Sequence, residues 1–384
     1  MDFCSGNTSV PGRPHPLSLP LKGRVGEGSS HNYCLFWQKI LKKLDPFVSI
    51  IVPCYNEEKF MPGLLENLIH QDYPKDLLEI LIIDGGSTDL TKTIILKYSG
   101  TSSFIRLLDN KKRFVPFALN LGIRASKGDV IIRMDAHSEY PVNYVSSLVK
   151  NLMELNADNV GGVWDTVPGN NSICSHAISR VLSSPFGIGN ALYRLNVKTV
   201  RNVDTVPFGC YRREVFERIG YFDEDLLRNQ DDEFNARLKK NGGTVYLLPD
   251  VRITYFARTS VRSLMKMFFQ YGYFKPLVNR KTGRPDTVRQ FIPPLFVIFL
   301  LVFLILGIFS NSFFYTWLIG AGIYLLADLF FTLKILAETR RILLLFYLPW
   351  IFFLVHFSYG WGYLEGTWKF LIARSTQYQP SSTR

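Results

Sequence analysis

The chain has 384 residues, room for two domains or for one domain with an appendage. Hydrophobic residues make up 47% and charged residues 20%, with 30 Phe and 19 Tyr, which excludes a disordered or collagen-like chain and indicates a soluble part averaged with a membrane part. The net charge of +12 admits nucleic acid, anionic lipid or an anionic small substrate as partner, and its placement along the chain decides between them.

Residues 1–44 mix Pro, Gly and Ser with no helical or strand period and no apolar core of signal-peptide length. They are expected to form a disordered tail, with a short helix over LFWQKILKKL. The five cysteines, Cys4, Cys34, Cys54, Cys174 and Cys210, are odd in number and widely spaced with no C-x-x-C, so neither a disulfide framework nor a zinc site is expected.

Residues 45–258 read as an α/β domain. VSIIVPC (48–54), EILIIDGG (79–86), FIRLLD (104–109) and DVIIRMDA (129–136) are short apolar runs of the kind buried on both faces of a mostly parallel sheet. Between them lie helical stretches. The clearest carries Val145, Leu148, Val149, Leu152 and Leu155 on one face, after Pro141. Val203–Tyr211, Thr244–Leu248 and Arg252–Ala257 read as further strands, some antiparallel.

Residues 259–290 are basic. Between 256 and 290, Arg258, Arg262, Lys266, Lys275, Arg280, Lys281, Arg284 and Arg289 face one acid, Asp286. The cluster lies directly before an apolar run, so a membrane surface is the expected partner and nucleic acid is not. Val261, Leu264, Met265, Phe268 and Phe269 make Ser260–Lys275 an amphipathic helix suited to a bilayer interface.

Residues 291–384 form membrane material, with apolar runs at about 291–309, 313–333 and 342–364. The first has no charge; the second carries only Asp328. The positive-inside rule puts the basic segment, and with it the catalytic part, on the cytosolic side of a cytoplasmic membrane in a multi-pass arrangement. Asn311 and Ser312 form the external turn, and Lys334, Arg340 and Arg341 mark the return. Three full crossings leave Lys369 and Arg374 outside, against the same rule, so the third run either crosses, re-enters or lies in the interface.

In an open α/β sheet, ligands bind beyond the carboxyl ends of the strands. Tyr55, Asn56, Glu57 and Glu58 follow the first strand, Asp84 to Asp89 the second, and Asp135, Ala136 and His137 the fourth. Any one of these fits a cap or turn, and Asp89 is as good a helix cap as a ligand; their shared placement is the signal. Strand-end carboxylates repel phosphate unless a divalent cation lies between, and Asp135 with His137 can present an oxygen and a nitrogen to one, which tilts the choice toward Mn²⁺ over Mg²⁺. No G-x-G-x-x-G follows the first strand and no P-loop is present, which excludes dinucleotide oxidoreductases and P-loop ATPases.

VSIIVPCYNEE, IIDGGSTD, GDVIIRMDAH and NQDDEFNARLKKNGG, in this order over about residues 46–275, resemble glycosyltransferase family 2, and within it the bacterial succinoglycan-biosynthesis type with D-x-H in place of D-x-D. The later HFSYGWGYLEG resembles that subgroup's membrane part. The resemblance implies a GT-A type fold, a UDP-sugar donor such as UDP-glucose, an inverting mechanism and a lipid-linked saccharide acceptor in surface or exopolysaccharide assembly. Carried over by position, Pro53, Tyr55, Asn56 and Glu57 line the nucleotide pocket, Asp84 bonds the base, Asp135 and His137 hold the metal, and Asp231 is the catalytic base. Gly209, Gln230, Asp232 and Gln270 then lie near the acceptor and donor sugar. Successive helix positions diverge by ~100°, so only one of Asp231 and Asp232 faces the site, and Asp231 is preferred. Two departures stand out. Gln230 occupies the place of the usual Glu before the base, and QYGYFK (270–275) replaces the Q-x-x-R-W of processive synthases. The second argues for single-sugar transfer over polymerisation; a catalytically silent nucleotide-sugar binder is the alternative to which Gln230 leans.

Overall fold

The computed structural model describes residues 45–285 and 287–374; the expectations for residues 1–44 and for Asp286 lie outside them. Four short strands open the fold: β1 (Val48–Cys54), β2 (Leu78–Asp84), β3 (Ile105–Asp109) and β4 (Val130–Arg133). β2, β1 and β4 are buried along almost their whole length, as their continuous apolar runs require. The connecting helices are α1 (Met61–Ile69), α2 (Thr91–Ser99) and α3 (Val115–Ala125). Strands β3, β2, β1 and β4 lie side by side in that order, all parallel.

The rest of the sheet is mixed. β5 (Ser138–Glu139), α4 (Tyr144–Glu154), β6 (Asn159–Val167), α5 (Ile173–Val181), the single turn α6 (Pro185–Ile188), β7 (Arg201–Asn202), β8 (Cys210–Arg212), α7 (Arg213–Ile219), α8 (Gln230–Lys240) and β9 (Val245–Phe256) follow. The order continues β4-β8-β6-β9-β5, with β7 also on β9. β8 runs antiparallel to both neighbours, and β6 and β9 are parallel. Alternate residues of the central strands feed two cores. Val48, Ile50 and Val52 pack with α1 and α4 on one face; Ile51, Leu81 and Ile83 pack with α3 and α8 on the other.

Three details differ from the sequence reading. Thr244–Leu248 and Arg252–Ala257 belong to one strand, β9, interrupted by a bulge opposite Gly162 and Val163. Val203–Tyr211 is mostly loop, preceded by β7 and entering a strand only at β8. Strand β6 was not anticipated, because Gly161-Gly162 in its centre breaks the apolar pattern and reads as a turn.

α9 (Val261–Thr282) starts at a Ser260 cap and runs well past Lys275, through Pro276. Then come α10 (Ile292–Gly307), α11 (Asn311–Thr339) and α12 (Leu348–Thr367). The stretches Val288–Gly307, Asn311–Thr339 and Ile342–Ile372 are each long and apolar enough to cross a membrane. α10 and α11 form a hairpin, with Trp317 Nε1 donating to the Leu300 carbonyl at 3.0 Å. α12 crosses α9 at backbone contact: a Cβ on Gly272 would lie 2.0 Å from the Tyr359 carbonyl oxygen, and one on Gly362 would lie 2.2 Å from that of Phe269. Small residues permit this approach, as they do between membrane helices.

Both ends of the third apolar stretch return to the α/β domain. Leu344 and Leu348 pack in one cluster with Ala177 and Ile178 of α5, whereas Phe370 packs with Leu226 and accepts a hydrogen bond from Arg280 at 2.9 Å.

Candidate active site

The carboxyl ends of β1 and β4 and the first turn of α8 open onto one cavity of about 1080 Å³. Its walls carry eight Lys or Arg against four Asp or Glu, a balance suited to an anionic ligand. Pro53, Tyr55 and Glu57 line it, with the Arg113 guanidinium 4.5 Å from the Tyr55 ring centre. The apolar helices add Pro293, Phe296, Tyr324 and Tyr359 to the wall.

Arg133 organises the middle. It is the last residue of β4 and buried, at 7% exposure. Its Nε and Nη2 donate to Asp135 Oδ1 at 3.2 and 3.0 Å, and its Nη1 donates to Asp231 Oδ2 at 2.5 Å. Burial pulls the guanidinium pKa down, but Asp135 and Asp231 outweigh it and hold the charge firmly in place. At Asp231 the balance is reversed: burial pushes the carboxyl pKa up, Arg133 opposes, and the net shift is upward. Asp231 Oδ1 is buried with no hydrogen-bond partner among the described residues. One oxygen is thus fixed by a cation and the other has its lone pairs unused, in a carboxylate of raised basicity. Those are the attributes of a general base.

Asp231 owes its position to the start of α8. Asn229, in the left-handed region at φ 60°, turns the chain into the helix, and its side chain donates to the Tyr271 carbonyl on α9 at 2.9 Å. Asp232, the next residue, points to a different partner and pairs with Lys275 at 2.7 Å. Gln230 is buried and Gln270 accepts from Arg228 Nε at 3.1 Å; both line the cavity.

Asp135 and His137 also line it, and the His137 ring lies 3.5 Å from Glu57. Among the described residues no three His, Cys, Asp or Glu side chains converge as a complete metal cage. An oxygen and a nitrogen donor two residues apart fit a cation whose remaining positions come from substrate phosphate and water, the usual manner of Mg²⁺ or Mn²⁺ at phosphate sites.

Three expected residues are placed elsewhere. Asp84 is 1% exposed and does not line the cavity; its carboxylate accepts from the Gly86 and Ser87 backbone and from Ser87 Oγ at 2.5 Å, holding its own turn. Asn56 spans to the same turn, accepting from Thr88 N at 2.8 Å. The space over Gly209 is filled by the Tyr211 ring, 2.4 Å from where a Cβ would be, and its neighbour Phe208 lines the cavity instead. Asp89 accepts from Thr91 N at 3.0 Å and so caps α2. The residues that sequence reasoning missed are Arg133, Arg113, Arg194 and Trp164. Only Arg133 had a signal, a charged residue closing the buried run VIIR.

The family model described as "Glycosyl transferase family 2" matches residues 49–220. A dolichyl N-acetyl-α-D-glucosaminyl phosphate 3-β-D-2,3-diacetamido-2,3-dideoxy-β-D-glucuronosyltransferase of Methanococcus voltae is 32% identical over 332 residues, covering 84% of this chain and 98% of the relative. The chain belongs to glycosyltransferase family 2. The succinoglycan biosynthesis protein ExoA of Rhizobium meliloti is 28% identical, over 64% of this chain and 73% of the relative. Among solved structures, the mannosyltransferase PcManGT of Pyrobaculum calidifontis, in complex with GDP-Man and Mn²⁺, is similar with a TM-score of 0.53 at 17% identity, over 89% of this chain and 95% of that one. The glycosyltransferase fold with C-terminal apolar helices is therefore established for this family member, as the sequence motifs anticipated.

Proposed function

We propose that this glycosyltransferase moves one sugar from a UDP-sugar to a lipid-linked saccharide by an inverting, divalent-cation-dependent reaction at the membrane surface, in surface or exopolysaccharide assembly. The observation that carries the reading is that one cavity is lined at once by Tyr55 and Glu57, by Asp135, Arg133 and Asp231, and by Pro293 and Tyr359 of the apolar helices. A water-soluble donor enters at one end and a membrane-held acceptor at the other. The names of the Methanococcus and Rhizobium relatives, a dolichyl-phosphate sugar transferase and a succinoglycan biosynthesis protein, support that acceptor class.

In this reading Pro53, Tyr55 and Glu57 hold the nucleoside, while Asp84 and Asn56 shape the loop beside it. Asp135 and His137 hold the cation, which when bound neutralises charge on the departing diphosphate. Asp231 Oδ1 takes the proton of the acceptor hydroxyl as that oxygen attacks the anomeric carbon from the face opposite the diphosphate. Arg133 keeps Asp231 in place and keeps its other oxygen from competing for the proton. The new bond is carbon to acceptor oxygen, the broken one carbon to diphosphate oxygen, and the proton ends on Asp231.

Two contacts support a membrane arrangement. Arg341, between α11 and α12, lies 3.1 Å from His176 of α5, so the α10–α11 hairpin leaves the catalytic domain and returns to it. We place that hairpin across the bilayer and α12, whose two ends both meet the catalytic domain, in the interface on the cytosolic side. Lys369 and Arg374 then stay on the cytosolic side, in accord with the positive-inside rule.

Purified full-length protein in detergent, given Mn²⁺ and a panel of UDP-sugars, is predicted to release UDP faster when a lipid-linked saccharide is added. No release with any member of the panel, with or without acceptor, would refute the reading.

A further inference from the structure

We propose that Arg194 and Arg289 form a seat for the phosphate of a lipid-linked acceptor at the membrane end of the cavity; this rests on the reading of the cavity as a sugar-transfer site. Arg194 closes a 3₁₀ turn at Leu192–Arg194 and is 5% exposed. Its guanidinium lies 4.3 Å from the Trp164 ring centre and 4.8 Å from that of Tyr255, two rings that stack on each other at 4.2 Å. Among the described residues it has no carboxylate at ion-pair distance, and its Nη1 is buried without a hydrogen-bond partner. Burying a charge this way is costly, and ring faces return only part of the loss. A bound anion would supply the missing counter-charge.

Arg289 supplies the second half. It lies in the turn Val288–Phe291 that leads directly into α10, where the chain meets the headgroup layer in the proposed arrangement. Its Nη2 donates to Asp204 Oδ2 at 3.0 Å, but its Nη1 is likewise buried with no partner. Both guanidinia line the same cavity, and both, with Asp232, are near enough to the Tyr193 hydroxyl to act on it. Two guanidinium forks with unused N–H groups match the tetrahedral oxygens of a phosphate better than ammonium groups would.

Position assigns the phosphate to the acceptor and not to the donor. Arg289 leads directly into α10, and Arg194, Arg289 and Asp232 all act on the Tyr193 hydroxyl, whereas Tyr55 and Glu57 follow the carboxyl end of β1. A sugar hung on a lipid phosphate carries its nucleophilic hydroxyl some ångströms from that phosphate, and Asp231 lines the same cavity as this seat.

Binding of geranylgeranyl phosphate, geranylgeraniol, inorganic phosphate and UDP to the full chain in detergent tests the assignment. Wild type is expected to bind the lipid phosphate at least about tenfold more tightly than the lipid alcohol, the scale of one charge-assisted hydrogen bond. Arg289→Gln and Arg194→Lys are expected to cut that preference to about twofold with UDP affinity unchanged, which also shows that each variant is folded. Arg289, the less buried of the two, serves if the Arg194 variant does not fold. The seat is overturned if the preference survives in Arg289→Gln, if UDP affinity falls in step with it, or if inorganic phosphate competes as well as the lipid phosphate does. Failure of wild type to bind UDP would instead count against the donor reading, which separates the two claims.

Discussion

Arg133 and Asp231 stand 98 positions apart in sequence and 2.5 Å apart in the fold, joined by one partly buried ion pair whose other arm holds Asp135. The strand end proposed to hold a cation and the helix start proposed to accept the proton are thereby tied through a single guanidinium. Arg133→Leu keeps most of the volume but leaves two carboxylates facing each other without a counter-charge. A loss of about 3–5 kcal/mol in unfolding free energy is expected, the range for breaking a buried pair. Thermal or denaturant unfolding in detergent reads it, and a loss under about 1 kcal/mol would show that the bridge is not structural.

In the proposed mechanism Asp231 sets the pH dependence. Its carboxyl is raised above the usual value of 3.8, first by burial, with Arg133 acting in the opposite sense. The ionised form is the active one, so turnover is retained above the raised pKa and lost as pH falls through it. The acid limb of kcat is therefore expected at higher pH than for an ordinary carboxylate. Asp231→Asn should abolish that limb along with about 10²- to 10⁴-fold of transfer, with donor affinity unchanged. An acid limb that persists in Asp231→Asn would place the base elsewhere. Asp232→Asn, whose carboxylate is already paired with Lys275, should lose far less.

The cation reading separates Asp135 and His137 from Asp231. Asp135→Ala and His137→Ala are each expected to raise the Mn²⁺ concentration needed for half-maximal UDP release by about tenfold or more, on the scale of one lost ligand interaction. Chelator should silence wild type, and Mn²⁺ should restore it. Release that continues undiminished in chelator would remove the cation from the account.

Membrane arrangement is open to chemical labelling. In single-cysteine variants, Asn311→Cys at the hairpin tip should react from the face opposite the catalytic domain, and Arg374→Cys from the same face as that domain. Labelling of Arg374→Cys from the opposite face would mean that α12 crosses the bilayer.

The parts of the fold that were legible in the sequence are those where local pattern and burial agree. β1, β2 and β4 are apolar runs buried on both faces, and α4 shows its buried stripe at Val145, Leu148, Val149 and Leu152. β6 was hidden because Gly161-Gly162 carries no side-chain signal, although its partners require it. The site was legible as a set of strand ends, not as a set of roles. An acid that grips its own turn, Asp84, and one that faces a cavity, Asp135, look alike in sequence, since the difference is the direction of one side chain. Arg194 depends on rings tens of residues away and has no local signature at all, whereas Arg133 shows only as a charge closing the apolar run VIIR.

The central claim is an in-line displacement in which Asp231 primes the acceptor hydroxyl on the side opposite the nucleotide. The anomeric configuration of the product, read from its ¹H NMR coupling after transfer from an α-linked UDP-glucose donor, tests it most directly. A β-linked sugar in the product is predicted; an α-linked one would contradict the mechanism.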